Sequence, residues 1–473
     1  MTTSRFERTS RRRFVASSAL GGAAILSAGQ LLPAGQQAGA PAVLAQDGLV
    51  DVTMFRGNAA RTGEMPGPGP DDWNGVEEIW RFTTDDAIKA SPAVVDGVVY
   101  VGTRKAHVYA LNADDGSERW RSWIRGEIYD SSPAVVDEIV FVGDSYKWLF
   151  ALNADDGTER WRFATDDGIN TSPAVVDGVV YVESRSNNLY ALNAEDGAER
   201  WRFRGIGAQS SPAVVDGVVY GNLYAVNSED GTERWRFTDG GGYRSSPAVV
   251  DGVVYVGGFD GNLYAVNAED GTERWRFVTD DEIESSPAVV DGVVYIGDWA
   301  GNLYAVNAED GTERWRFTDG GGYYSSPAVG DGVVYVGSDA GNLYAVYIEA
   351  GTQRWQFATG AGIYSSPVVV DGVVYVGSYD GNLYAIGARV PRLSVGGTAR
   401  VTEPASLRGA PSAVGVERAV LTPGTVVMIT GEPVTTDGIT WWLVTVESAG
   451  AQGWVEASKL EPLSSGPEPT ATP

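Results

Sequence analysis

The sequence predicts an all-β protein: an eight-bladed β-propeller closed by its own N-terminal strand, followed by a small β-barrel. Three observations lead there. First, one segment recurs eight times, with the proline of its Ser-Pro step at Pro92, Pro133, Pro173, Pro212, Pro247, Pro287, Pro327 and Pro367. The spacing of 35 to 41 residues is the length of a propeller blade. Second, each repeat holds four short runs rich in β-branched and aromatic residues, separated by turn signals such as Asp251-Gly252 and Asp270-Gly271. None has a helical period, so each repeat reads as a four-stranded meander. Third, the ends are out of phase. The last repeat stops after Tyr384-Ala385-Ile386, and the first Trp-Arg-Phe run, Trp80 to Phe82, precedes the first Ser-Pro step. Strands balance only if the N-terminal run completes the last blade. A ring also covers the apolar blade faces and leaves only short edges, which an open solenoid does not.

Residues 1–45 read as an export segment. Ser10-Arg11-Arg12-Arg13-Phe14-Val15 resembles the twin-arginine motif, a Gly/Ala-rich apolar stretch runs to Leu32, and Val43-Leu44-Ala45 offers small residues for cleavage. Glycines and Pro33 break the apolar stretch, so no permanent transmembrane anchor is expected. The expectation is an extracytoplasmic protein, secreted or associated with the cell wall. The chain has no Cys, which excludes disulfides, thiol nucleophiles, thiolate metal sites and a lipidated cysteine.

Residues 46–75, with Met54-Phe55-Arg56-Gly57-Asn58 and a Gly/Pro run to Pro70, read as irregular chain laid across one face of the ring. The propeller occupies 76–387. Blade four lacks five residues: Tyr220 is followed directly by Gly221-Asn222. The sequence leaves open a tolerated deletion, a sequence error or a notch beside a ligand site. A linker, 388–397, precedes a module at 398–463, where short alternating runs and Gly turns predict the small barrel. The tail, 464–473, is Pro/Ser/Thr-rich and is expected to be disordered.

The 62 acidic and 35 basic residues give a net charge of −27. Much of the excess lies in two turns of each repeat that meet at one end of the blade, so one face of the ring is expected to be acidic. That disfavours nucleic acid and anionic membrane as partners. The turns lack the calcium-loop length and its closing Glu, and read as solvated turns.

One position varies round the ring, the third residue before the Ser-Pro proline: Lys89, Asp130, Asn170, Gln209, Arg244, Glu284, Tyr324 and Tyr364. It falls at the start of the innermost strand, at the same end as the second hairpin tip, which also varies and includes Phe259, Trp299 and Tyr379. Together these predict a ligand site at the channel mouth. No catalytic residue and no metal site emerges. His107, the single His, stands where most repeats have Asn and reads as a turn-end residue.

The run Asn-Leu-Tyr-Ala-Leu-Asn-Ala-x-Asp-Gly-x-x-x-Trp resembles the tryptophan-docking repeat of pyrroloquinoline quinone (PQQ) repeat propellers. The Met-Phe-Arg-Gly-Asn lead-in is similar to theirs. The resemblance spans about two thirds of the chain. It implies that Trp80, Trp120, Trp161, Trp201, Trp235, Trp275, Trp315 and Trp355 pack between neighbouring blades. The C-terminal module resembles a bacterial Src-homology-3-like domain in the order of its motifs. This implies association with cell wall or peptidoglycan, with Trp441, Trp442 and Trp454 as candidate groove residues, at least one of them in the core. The first functional expectation is an exported, monomeric, non-catalytic binding or scaffold protein without a cofactor, holding a protein or glycan ligand on its variable face. The alternatives are a PQQ- and calcium-dependent quinoprotein dehydrogenase and an envelope protein-assembly factor. Against the dehydrogenase stand the missing adjacent cysteines and the lack of room for inserts between repeats. Against the assembly factor stands the missing lipidated Cys.

Overall fold

The computed structural model describes residues 51–70, 75–205, 210–221, 224–239, 244–318, 321–388, 395–436, 439–446 and 448–463. The predicted export segment, residue Gln209 and the tail lie outside them. The fold is the predicted one: eight four-stranded antiparallel sheets, then a seven-stranded curled sheet.

The first blade shows how sequence becomes structure. Its strands are Ala93–Val95, Val98–Gly102, His107–Asn112 and Glu118–Trp123, from the channel outwards. Asp96 and Gly97 join the first two with φ of 49° and 68°. Positive φ at both central residues suits a two-residue hairpin turn and favours Asp-Gly. The second strand is buried along its whole length and the third through its centre, because neighbouring blades cover both faces. Ala113 N–H donates to Gly97 O at 2.9 Å, so the two acidic turns do lie side by side at one end. Asp115 spends its carboxylate on Ser117 N and Oγ, at 2.9 and 2.6 Å, as a self-contained turn does.

Two features close the ring. Val76–Thr83 pairs antiparallel with Asn382–Ala388, Trp80 opposite Ala385, so the N-terminal strand completes the last blade. Inside, Ser91 N–H donates to Ser132 Oγ at 2.9 Å. The same bond passes from blade to blade until Ser366 N–H reaches Ser91 Oγ, also at 2.9 Å.

The blade tryptophans dock between blades. Trp275 Nε1 donates to Ala308 O of the next blade at 3.1 Å, and its ring lies on Gly311. Gly311 has φ +74°, and a Cβ there would come within 2.7 Å of the indole, so both conformation and contact require glycine. Trp355 is the exception: its Nε1 has no partner among the described residues. The blade it faces is the closure blade, whose third and outer strands are separate ends of the chain. The turn that supplies the carbonyl elsewhere is absent there.

Blade four keeps four strands, with the second and third shortened to Val218–Gly221 and Tyr224–Asn227. In the C-terminal sheet, Thr398–Val401 pairs with Val426–Thr436 and with Leu460–Pro462. The sheet curls round Ala399, Leu407, Val427, Val444 and Val455. Among the described residues, no helix is long and apolar enough to cross a membrane.

Candidate functional site

The innermost strand of each blade turns one edge to the channel, and its N–H groups there need acceptors. Residues 51–70 supply many of them. Val135 N–H donates to Thr53 O, Val214 to Ala59 O, Val249 to Ala60 O, Val289 to Thr62 O and Val329 to Gly63 O, at 2.7–3.0 Å. Val52 exchanges both bonds with Val94, and Gly372 N–H reaches Pro68 O. The segment therefore winds round inside the ring rather than lying across one face. The expectation erred because the inner-strand edges, which have no other partner, draw the chain in.

Two guanidiniums anchor this winding. Arg61, fully buried, donates to Pro212 O (3.1 Å), Phe55 O (2.6 Å), and Ser172 O and Pro173 O (both 3.0 Å). Arg56 donates to Pro287 O and Pro327 O on the opposite side. Burial pulls both down to about 9, and in Arg56 repulsion by Arg61 adds to it. Both remain cations at neutral pH.

Phe55, whose ring packs against the Arg61 guanidinium at 5.4 Å, lies in the floor of a recess at the channel mouth. The recess is small, with a cavity volume of about 100 Å3. Its wall is the serine ring and its rim is the variable position. Seven of the eight variable residues line it, and Gln209 lies outside the described residues. Lys89 pairs with Asp130 at 2.7 Å and Arg244 with Glu284 at 2.9 Å. Burial pushes the Glu284 carboxyl up, against the pull of Arg244.

The hairpin tips extend the rim. Trp299, Tyr324, Tyr364 and Tyr379 form a continuous arc, with ring centroids 5.1, 4.9 and 4.6 Å apart. Arg104 continues it, lying over Tyr379 at 5.8 Å and Tyr129 at 5.2 Å. Lys89 sits over Tyr364, and Arg244 over Phe259, both at 5.9 Å. Sequence reasoning missed Phe55, Tyr129 and the serines. The serines were visible as an unchanging Ser before each proline.

The three C-terminal tryptophans do not all lie on one face. Trp441 is buried, with 3% of its surface exposed. Trp442 pairs with Val455 and Trp454 with Leu443, and alternation then puts Trp442 and Trp454 on opposite faces of the strand pair. Trp442 packs against the core of the sheet. His107 Nδ1 is 2.7 Å from Asp85 Oδ2 at a strand start, away from the recess lining.

A family model described as outer membrane protein assembly factor BamB matches residues 74–165, 123–222, 145–242, 219–325 and 300–432, most of the chain. BamB of Salmonella typhimurium is 31% identical over 86 residues, 17% of this chain and 21% of that protein. The match thus spans about a fifth of that relative's length. Among solved structures, BamB from Moraxella catarrhalis superposes with a TM-score of 0.59 at 18% identity, covering 67% of this chain and 99% of the other. A europium-containing methanol dehydrogenase gives 0.63 at 14% identity, covering 71% and 98%. The computationally designed Ika8 protein gives 0.59 at 16% identity, covering 66% and 99%. At these identities the likeness is one of fold.

Proposed function

We propose, on the premise that this chain belongs to the BamB-type family of PQQ-like repeat propellers, that it is an extracytoplasmic binding or scaffold protein whose rim engages a component of the cell envelope. The observation that carries this is the aromatic arc at the mouth of the recess. Aromatic side chains present large, rigid, amphipathic area, and the recess beside them gives a partner a place to seat. Similarity to an outer membrane assembly factor supports a protein partner in the envelope. The export motif supports the location, and the curled C-terminal sheet supplies a second module for attachment to the wall.

The lining supports a non-catalytic role. PQQ is a planar tricarboxylate quinone and calls for free cations and a metal-binding carboxylate cluster. Lys89 and Arg244 are already paired, and Arg56 and Arg61 are spent on carbonyls below Phe55. Among the described residues no group of three acidic or His side chains could hold a metal. The residues do not fit PQQ with calcium.

The test is retention of the mature protein on isolated cell envelopes of its source. Tyr364→Ala with Tyr379→Ala is expected to abolish retention, while Glu309→Ala, in an acidic turn, leaves it unchanged. Retention unaffected by the rim pair refutes the reading, as does tight one-to-one binding of PQQ in excess calcium.

A further inference from the structure

The serine ring does more than close the propeller. Each Oγ accepts one backbone N–H from the preceding blade, which leaves each hydroxyl a proton to donate. Only Ser172 gives its own to a carbonyl, Asp130 O at 3.4 Å. The other seven border the recess; all are buried, and none donates to a protein acceptor among the described residues. A circle of hydroxyl donors therefore surrounds a floor made by one aromatic ring, Phe55.

The charges above this circle cancel in pairs: Lys89 with Asp130, Arg244 with Glu284. An anion would have to displace a carboxylate and a cation would have to displace Lys89 or Arg244, in each case stranding a half-buried charge. A purely apolar ligand would bury the hydroxyls and both ion pairs without hydrogen bonds. A ligand dense in hydroxyls needs neither sacrifice, since each hydroxyl both accepts and donates. It can take protons from the serines and give protons to Asp130 and Glu284. The arc adjoining the recess, Tyr364 and Tyr379 foremost, offers ring faces of the size of a pyranose, whose C–H faces are apolar.

Resting on the reading of the rim as the binding face, we infer that the recess and its aromatic arc bind the end of a neutral saccharide chain. The terminal sugar sits within the serine ring, and the following units stack along the arc from Tyr364 towards Tyr379. A protein partner on the same rim is the competing occupant.

The experiment is calorimetric titration of the mature protein with neutral hexasaccharides of glucose, mannose, xylose and N-acetylglucosamine, at ionic strengths of about 0.05 and 0.5 M. One of them is expected to bind one-to-one, with an affinity that changes less than about twofold between the two salts because no net charge is neutralised. Tyr364→Ala is expected to weaken it by about tenfold or more, while Tyr364→Phe, which keeps the ring, retains it. Thermal melts of both variants confirm folding. No heat with any hexasaccharide at millimolar concentration overturns the inference, as does binding that Tyr364→Ala leaves intact. If the saccharides fail while envelope retention still depends on Tyr364 and Tyr379, the saccharide falls, the rim reading stands, and a protein takes its place. If retention is also independent of the rim, both fall.

Discussion

Replacing Arg61 with Met tests whether the winding segment holds the ring together. Methionine fills the stem of the side chain and offers no donor. Four carbonyls, those of Phe55, Ser172, Pro173 and Pro212, then lose a charge-assisted partner. At about 1.5 kcal/mol each the gross loss is about 6 kcal/mol. Relief of the buried cation's desolvation returns about half of that, which leaves a net destabilisation of about 3 kcal/mol. Unfolding entropy near 2 cal/mol/K per residue, taken over roughly 300 propeller residues, converts this to a fall in Tm of about 5 °C. Differential scanning calorimetry of the mature protein reads the shift. Limited proteolysis reads the second consequence, cleavage within 51–70 before the blades are cut. A Tm within about 1 °C of the parent, with that segment still protected, would refute the argument that the guanidinium ties blades three and four to the segment.

Other consequences follow from burial and pairing. Glu183 is fully buried, and burial pushes its carboxyl well above the ordinary 4.5. The unfolded chain ionises it near 4.5, so stability falls as pH rises above that value until the folded carboxyl itself ionises. Glu183→Gln removes this slope, and urea midpoints at about pH 5 and 8 should show the variant gaining on the parent only at the higher pH. Trp275→Phe loses an indole hydrogen bond that Trp355→Phe does not, and should cost about 1 kcal/mol more in chemical denaturation. Chelation with EDTA should leave the Tm of the propeller unchanged; a drop of several degrees would reveal a structural calcium.

The ring was legible because its evidence is written eight times. A Trp, a Gly turn and a Ser-Pro step at fixed spacing leave one packing solution, and the phase of the ends dictates the closure between Trp80 and Ala385. The rim was legible for a related reason: against a nearly constant repeat, Lys89, Asp130, Arg244, Glu284, Tyr324 and Tyr364 stand out as positions released from packing. The winding segment was not legible. Met54 to Pro70 has no period and no partner in sequence, and its hydrogen bonds are made to residues as distant as Val329 and Gly372. Nor could the sequence show that Phe55 would floor the recess, since that follows from where Arg56 and Arg61 hold the backbone. The C-terminal tryptophans misled for want of a register: only the pairing of Leu443 with Trp454 shows that Trp442 and Trp454 face opposite ways.

Blade four reads differently once its neighbour is considered. In blades five and eight, the third-strand tyrosine gives its hydroxyl to an aspartate of the adjoining hairpin tip, as Tyr264 does to Asp260 and Tyr384 to Asp380. The five missing residues remove that aspartate from blade four and leave the buried Tyr224 without it. In blade three, the position that is Gly143, Gly257 or Gly377 elsewhere is Glu183, and its carboxyl faces the Tyr224 hydroxyl. Those glycines exist because an isoleucine of the next blade presses on them: a Cβ on Gly143 would come within 2.3 Å of Ile169. At the corresponding place before Pro212 the sequence has the smaller Ala208. A lost carboxylate and a gained one thus fall at the same seam. The truncation therefore coincides with a changed seam between blades three and four, in which the buried Glu183 carboxyl lies near the Tyr224 hydroxyl but makes no hydrogen bond of the kind Tyr264 makes to Asp260.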